Sequence, residues 1–397
     1  MIAAAQRRAR LAHRQLLTPA ARAARTEDVA EALVGLHATE AATVMLSARA
    51  RLREPTPADV DRALYEDRTL VRMHAMRRTL WAVPADLVPV FHHSTTRTVA
   101  RRERATLLKH LAATGTARDA AWLAAAEEAA LSAVREAGAG GAGTAEVIER
   151  VPVLQETIVT SPGKPYEAKL RVGGSVLRVL AMDGRIRRAR PLGGWAAGQF
   201  RYEIAPPMAD LDPAEAQAEV ARRWLRTYGP ASTDDLKWWT GWSLGDTRRA
   251  LARIEAVEGA VEGADGWLLA EDAALLADGA AAAAEPDPGP WAAFLPSLDP
   301  ATMGWKHRDF YLDPALKPLL FDTAGNAGPT VWWRGEIIGA WAQRRDGEVV
   351  WRLLADRGAE ARAAVEAEGA RLNAWLAEHA LVARFAAPLT AELVGDA

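Results

Sequence analysis

The chain has 397 residues, no cysteine and a formal net charge of −2, and half of its residues are hydrophobic. This length exceeds what one ordinary core accommodates and predicts two to four subdomains. No segment approaches the roughly 18 consecutive apolar residues of a membrane span, and no apolar stretch follows the Arg-rich N-terminus as in a secretory signal. Without cysteine there are no disulfides, thiolate metal sites or cysteine nucleophiles, which fits a cytoplasmic protein.

Residues 1–115 are predicted to form a helical unit that ends in a β-hairpin. Thr56 followed by Pro57 is typical of a helix start, because threonine caps the first turn and proline fits the first helical position. Three helices followed by a hairpin indicate a winged-helix unit. The predicted elements are helices over residues 1–17, 27–35, 43–52 and 56–65, strands over 69–74 and 78–83, and a helix from 84 onward.

Residues 116–208 are predicted to repeat this plan. Asp119 and Gly138 are a typical N-cap and stop for a strong helix between them, and Thr144 begins a shorter one. The position of a recognition helix falls within residues 166–182. The predicted elements are helices over residues 120–137 and from 144, and two wing strands over 185–190 and 199–204.

Residues 209–285 show the clearest third copy. Asp212 starts a helix that ends at Gly229-Pro230, and Gly241 lies in the turn between the next two helices. The predicted wing is acidic, which makes it a poor contact for phosphate. The predicted elements are helices over residues 212–228, 232–239 and 243–252, and strands over 257–262 and 267–270.

Residues 286–397 have a different character, with tryptophans, glycines and alternating strands. Asp346-Gly347 is typical of a hairpin turn. We expect a small barrel-like α+β part here, so the predicted fold class of the whole chain is α+β. The predicted elements are strands over residues 330–334, 336–343, 349–354 and 381–385, and a helix over 358–377.

The near-neutral net charge hides local basic clusters. Residues 171–190 contain six arginines and a single acid, Asp183, and residues 68–104 are similarly unbalanced. A basic face on a near-neutral protein is suited to contact with DNA phosphates. Arginine far outnumbers lysine and alanine is abundant, a composition that a GC-rich genome would also produce.

Six segments of the chain resemble the AlkZ/YcaQ family of winged-helix DNA glycosylases, which excise N-alkylated purines and unhook interstrand crosslinks. The resemblance covers nearly the whole chain. It implies tandem winged-helix units around a concave channel for double-stranded DNA, with a β-rich C-terminal part. The segments that carry it are Leu36-His-Ala-Thr-Glu40 and residues 67–73, 76–84, 298–310, 325–332 and 339–343.

The catalytic signature of that family is Gln-x-Gln, or Gln-x-Asp in the YcaQ branch, and this chain carries His37 and Thr39 there. An N7-alkylguanine is already cationic, so the enzyme mainly needs to position water and stabilise an oxocarbenium-like sugar. Neutral His37 is expected to accept the water's proton and Thr39 to orient the water. Excision should then rise with pH through the histidine titration. A His-x-Thr pair at a helix boundary is also typical of a simple cap, and Glu40 is a weaker candidate because the helical turn directs it elsewhere.

The expected DNA contacts are basic side chains on the two wings, in the first unit and in the segment around residue 307. Strand alternation means that only some wing residues can face DNA, and a solvated strand face is the alternative. The residues are Arg49, Arg72, Arg77, Arg78, Arg185, Arg187, Arg188, Arg190, Lys306 and Arg308.

The leading hypothesis is a monofunctional, monomeric DNA glycosylase that needs no cofactor. No positioned lysine for Schiff-base chemistry is evident, and the eight histidines show no metal-ligand spacing, so we expect neither lyase activity nor a metal site. The alternative is a non-catalytic winged-helix DNA-binding protein, such as a lesion sensor or a regulator. Loss of both glutamines favours that alternative.

Overall fold

The computed structural model describes residues 2–114, 118–160, 163, 167–193, 195, 198–261, 264–276, 286–376, 379–381 and 387–395. It is a mixed α+β protein, as predicted. None of the described helices is both long and apolar enough to cross a membrane. We refer to the N-terminal, second, third and C-terminal regions, with the bounds predicted from the sequence; those bounds remain predictions.

The N-terminal region contains the predicted helices and hairpin, and one strand that the sequence did not indicate. Thr56 caps its helix as expected, accepting a hydrogen bond from the Asp59 amide at 3.2 Å. A two-residue strand joins the hairpin at its edge, giving the sheet order β1-β3-β2. The elements are α1 Ala4–Arg14, α2 Thr26–Ala32, β1 Leu36–His37, α3 Ala41–Arg49, α4 Pro57–Asp61, β2 Leu70–His74, β3 Leu80–Pro84, α5 Val88–Phe91 and α6 Arg97–Ala113.

The second region follows its predicted order, with extra short strands. The Asp119 carboxylate accepts the amides of Ala121 and Trp122 at 3.0 Å, which confirms the predicted cap. The span 166–182 is only partly helical, because a strand precedes its helix. The elements are α7 Ala120–Glu136, β4 Ala142–Gly143, α8 Thr144–Arg150, β5 Thr157–Thr160, β6 Ala168–Arg171, α9 Gly173–Met182, β7 Ile186–Ala189 and β8 Arg201–Ile204.

The third region confirms its predicted helices and hairpin. Gly241 ends the second helix in the left-handed conformation, with φ 75°, which glycine adopts without a steric penalty. The elements are α10 Pro213–Tyr228, α11 Thr233–Thr240, α12 Leu244–Arg253, β9 Val257–Val261 and β10 Ala264–Leu268.

The C-terminal region is built on a four-stranded antiparallel sheet whose strands pair in chain order. Among the described pairings the first and last strands do not join, so the barrel-like expectation is not confirmed. The Asp346-Gly347 turn is confirmed, and the strand predicted near 381–385 lies mostly outside the described residues. The elements are β11 Ala292–Leu295, α13 Lys317–Leu320, β12 Thr330–Trp333, β13 Glu336–Gln343, β14 Val349–Leu353, α14 Gly358–Leu376 and α15 Pro388–Val394.

One large core joins the N-terminal, third and C-terminal regions. Trp81 from β3, Trp224 from α10 and Trp332 from β12 all belong to it, and each is fully buried. The second region has a core of its own, which also includes Leu107 and Leu111 near the end of α6. The second region therefore meets the rest of the protein through a surface, where β2 packs against β7.

A buried ion pair ties the N-terminal region to the C-terminal region. Arg51 donates to both carboxylate oxygens of Asp299, at 2.7 and 2.9 Å, and both side chains are 0% exposed. The Ser47 hydroxyl and the Ala301 amide also donate to Asp299, at 2.6 and 2.9 Å. Since four donors satisfy the carboxylate, the pair is well compensated for its burial.

We predict that Asp299→Ala lowers the free energy of unfolding by about 3–5 kcal/mol, because it leaves the Arg51 charge buried without a partner. The matched control is Asp210→Ala, since Asp210 is 91% exposed and lies 3.9 Å from Arg97. The control should change the free energy by less than about 1 kcal/mol. Urea denaturation measures both values, and equal effects of the two substitutions would contradict the structural role of the pair.

Candidate active site

The segment from His37 to Thr39 is held against β3 by backbone pairing. His37 lies opposite Trp81 in the antiparallel β1–β3 pair. The Ala38 amide donates to the Leu80 carbonyl at 2.7 Å, and the Leu80 amide donates to Thr39 Oγ1 at 3.3 Å. The sheet therefore fixes His37 and Thr39 relative to each other.

Arg72 holds the same segment from the neighbouring strand. Its guanidinium donates to the Ala38 carbonyl, between the two candidate catalytic residues. The guanidinium carbon also lies 3.8 Å from the ring centre of Phe200, in the second region. Arg72 is buried. It thus links the second region to the candidate site, and its hydrogen bond to protein backbone makes it a positioning residue rather than a surface contact for phosphate.

His37 is a buried and neutral histidine. It is 2% exposed, and its ring lies 5.1 Å from the Trp81 ring. Burial, together with the smaller effects of the positive charges of Arg77 and Arg72, lowers the pKa of His37 to about 3. Its Nδ1 atom has no hydrogen-bond partner among the described residues. With its pKa this low, His37 stays neutral at every pH well above 3, so the structure favours a flat pH profile over the rise of activity expected from the sequence.

Glu40 faces a different part of the molecule from His37. It begins α3 and accepts a hydrogen bond from the Thr43 hydroxyl at 3.4 Å. Glu40 and Thr43 line a cavity of about 520 Å³ with Ser297 of the C-terminal region, and His37 is not among the lining residues. This agrees with the expectation that the helical turn directs Glu40 away.

Arg77 and Arg308 both lie over one aromatic ring, that of Trp238. The guanidinium carbon of Arg77 lies 4.1 Å from the Trp238 ring centre, and that of Arg308 lies 4.9 Å from it. Arg308 is 8% exposed and donates to the Thr302 carbonyl at 3.2 Å. We call Arg77, Trp238 and Arg308 the Trp238 cluster.

Most of the predicted wing arginines already have carboxylate partners. Arg78 lies 3.2 Å from Glu103. Arg185 and Arg190 form exposed pairs, which contribute little to stability. Arg188 differs, because it forms no ion pair with a described residue and lies over the Phe200 and Tyr202 rings at 5.1 and 4.7 Å. The other pairs are Arg185 with Glu128, Arg187 with Glu203, and Arg190 with Asp61 and Glu66.

Two other predicted DNA contacts, Arg49 and Lys306, are also paired with acidic side chains. Arg49 is buried and bound to Glu368 at 2.5 Å, so its charge is already neutralised inside the protein and we withdraw it as a phosphate contact. Lys306 is half exposed and pairs with Asp234.

Sequence reasoning missed Phe200 and Trp81 as parts of this site. Phe200 stacks on Arg72 from a position 128 residues away, and Trp81 packs beside His37 only because β1 pairs with β3. The only available signal was the alternating pattern of the strands that carry or adjoin them.

The site can offer a neutral hydrogen-bond acceptor, a hydroxyl and several cationic groups. His37 supplies the acceptor and Thr39 the hydroxyl, while Arg72 and Arg77 supply the positive charge nearby. Within the described residues, no group of three or more His, Asp or Glu side chains is arranged to hold a metal ion. The chemistry that the geometry suits is the placement of a water molecule by uncharged groups.

We predict that His37→Gln weakens the pH dependence of folding. Unfolded His37 takes up a proton at its ordinary pKa of about 6.5, whereas folded His37 does so only at about 3, so its contribution to stability falls as the pH drops from 7 towards 3. Between pH 7 and 5 this amounts to about 2 kcal/mol. Urea denaturation of both proteins at the two pH values measures it.

The variant should still lose some stability in acid, because burial also lowers the pKa of His74 to about 3 and that of His92 to about 4. An unchanged pH dependence in His37→Gln would show that folded His37 titrates normally.

Comparison with known proteins gives the chain a family. The sequence profile of the AlkZ-like DNA glycosylases matches residues 30–375. The solved structure of Streptomyces sahachiroi DNA glycosylase AlkZ is similar with a TM-score of 0.69 and 21% identity, over 94% of this chain and 97% of that one. That likeness concerns the fold. None of the curated proteins compared with the chain matches it. Because the profile spans most of the sequence, the chain belongs to the AlkZ-like family of DNA glycosylases, which are hydrolytic enzymes of DNA repair.

Proposed function

We propose that this enzyme excises N-alkylated purines, of the N7-alkylguanine type or from crosslinks, from double-stranded DNA, and that His37 and Thr39 hold the attacking water. The observation that supports this best is the state of His37. It is neutral, buried and fixed beside Thr39, and its Nδ1 has no hydrogen-bond partner. A buried polar atom without a partner is costly in free energy, and a catalytic role is one explanation for keeping it.

The proposed reaction needs little from the protein at the leaving group. An N7-alkylated guanine carries a positive charge, so the C1′–N9 bond breaks as the base departs with the bonding electrons. Water then forms the C1′–O bond. Its proton becomes strongly acidic as that bond forms, so even a weak base such as His37 can accept it. Thr39 orients the water through its hydroxyl, which the Leu80 amide holds in place.

A neutral His37 also suits the charge of the transition state. The sugar becomes cationic as the base leaves, and a protonated histidine beside it would oppose that charge. A low pKa at His37 avoids this repulsion at physiological pH. This gives a physical reason why a histidine can occupy a position where the family signature has an uncharged glutamine.

A cavity beside the segment has room for part of a lesion. It measures about 210 Å³ and lies between β2 and the second region, with Arg72 and Leu80 in its wall. Both of these residues contact the His37–Thr39 segment directly. Val71 and Val88 are among its apolar lining residues. We infer that the alkyl substituent of the purine enters here.

DNA binding is proposed to use winged-helix units arranged around a concave channel, with the protein acting as a monomer and without a cofactor. Arg78, Arg185 and Arg190 are exposed and paired only at the surface. Such pairs are weak, so phosphates can replace the carboxylates. Arg188 lies near Arg72, because both contact Phe200.

The first test is excision of N7-methylguanine from duplex DNA, detected as strand breaks after alkali. We predict that His37→Ala lowers the single-turnover rate by about 100-fold, because the water loses its acceptor. His37→Gln should retain more activity, since an amide oxygen also accepts a hydrogen bond. Thr39→Val, of nearly the same shape, should lower the rate by a smaller factor.

The matched control for this test is His110→Ala, which replaces a histidine in the last turn of α6, outside the expected DNA contacts. Equal activity of His37→Ala and the wild type would move the site elsewhere. The wild type and its variants could instead bind the lesion specifically and produce no strand breaks, even on DNA with bulkier adducts. That result would favour the non-catalytic lesion sensor.

The second test is the pH profile of the same single-turnover rate. We predict a flat profile between about pH 5 and 8, because His37, with a pKa of about 3, does not change its protonation state in that range. An inflection near 6.5 that disappears in His37→Gln would contradict a permanently neutral histidine.

A further inference from the structure

The Trp238 cluster brings two positive charges together without a negative one. Neither Arg77 nor Arg308 forms an ion pair with any described residue, although both guanidinium groups lie against the Trp238 ring. Arg77 Nε and Arg308 Nη2 are buried and lack hydrogen-bond partners. Holding two like charges close together away from water is unfavourable unless an anion joins them.

Three other buried arginines of this protein are neutralised by carboxylates. Arg10 binds Asp272 at 2.7 Å, Arg49 binds Glu368, and Arg51 binds Asp299. At these three positions the buried arginine has a counter-charge, which the Trp238 cluster lacks among the described residues.

The backbone at Arg77 is also under strain. Arg77 and Arg78 have φ angles of 51° and 69°, in the left-handed region that non-glycine residues seldom occupy. Gly241 makes room for the hairpin tip, since a Cβ there would come within 3.2 Å of Arg77 Cγ. Strained backbone persists where the surrounding structure holds it, and such positions concentrate at binding sites.

We propose that Arg77 and Arg308, stacked on Trp238, form a subsite for one backbone phosphate of the DNA strand under repair, beside His37. A guanidinium presents several N–H donors in a plane, and phosphate oxygens accept them in pairs. Trp238 fixes the planes of both guanidinium groups. The ligand is DNA rather than a free anion because Arg77 lies between β2 and β3, four residues before Trp81, and Trp81 packs against His37. This inference rests on the proposed function for its ligand.

The test is the salt dependence of binding to undamaged duplex DNA, measured by fluorescence anisotropy between about 50 and 200 mM KCl. The double variant R77Q/R308Q should lower the slope of log K against log [KCl] by about 0.9, the value for one lost phosphate contact. Its Kd should rise about tenfold at the middle of that range. R362Q is the matched control, since Arg362 is an exposed arginine of α14 paired with Asp356, and it should behave like the wild type.

Two single variants, R77Q and R308K, keep the test valid if the double variant does not fold. Circular dichroism shows which of the variants are folded. R77Q should weaken binding even if R308Q does not fold. R308K keeps the charge and loses the planar donors, so it should raise Kd with little change of slope. A folded R77Q or double variant with the slope and Kd of R362Q would overturn the subsite.

Inorganic phosphate distinguishes the DNA backbone from a free anion. Phosphate could raise the Tm of the wild type and not that of R77Q, while replacement of Arg77 or Arg308 leaves DNA binding unchanged. In that case the site takes a free anion and the assignment to DNA is wrong. Binding is measured on undamaged DNA and excision separately on DNA that carries the lesion. A lower slope in the double variant together with no excision by the wild type would contradict the proposed substrate and leave the subsite standing.

Discussion

The pairing of β1 with β3 is the constraint on which the candidate site depends. It places His37 against Trp81, within the field of Arg77 and Arg72, and removes it from water. In that environment a charged imidazole is unfavourable, so the side chain stays neutral over the physiological range. The resemblance noted from the sequence implies glutamine in relatives, and a neutral histidine preserves the uncharged hydrogen-bonding character of that residue.

Arginine serves two distinct purposes in this protein. Arg51 and its buried partner Asp299 hold separate parts of the chain together, and Arg49 does the same with Glu368. Arg72, Arg77, Arg188 and Arg308 instead stack on aromatic rings around the site. The second group supplies positive potential where DNA is expected, while the first contributes to the fold. Counting arginines in the sequence cannot separate these roles.

The sequence predicted features that depend on neighbouring residues and failed on those that depend on distant ones. The Thr56 and Asp119 caps and the Asp346-Gly347 turn are local, and they were found correctly. Arg49 was wrongly assigned to DNA, since its partner Glu368 lies 319 positions away and the pairing is not visible in the sequence. The low pKa of His37 was missed for the same reason, since burial arises only from tertiary packing. The motif identified His37 and Thr39 as candidates, but it could not supply their surroundings.

The protonation state of His37 is the most direct test of this mechanism. Nitrogen NMR of protein with isotopically labelled histidine measures it. His37→Gln would identify the His37 signals by their loss. We predict that they keep the chemical shifts of a neutral imidazole from about pH 5 to 8, as its pKa of about 3 requires. A titration of those signals with a midpoint near 6.5 would contradict the account, because His37 would then lie in a hydrated environment and carry a charge in the acidic part of that range.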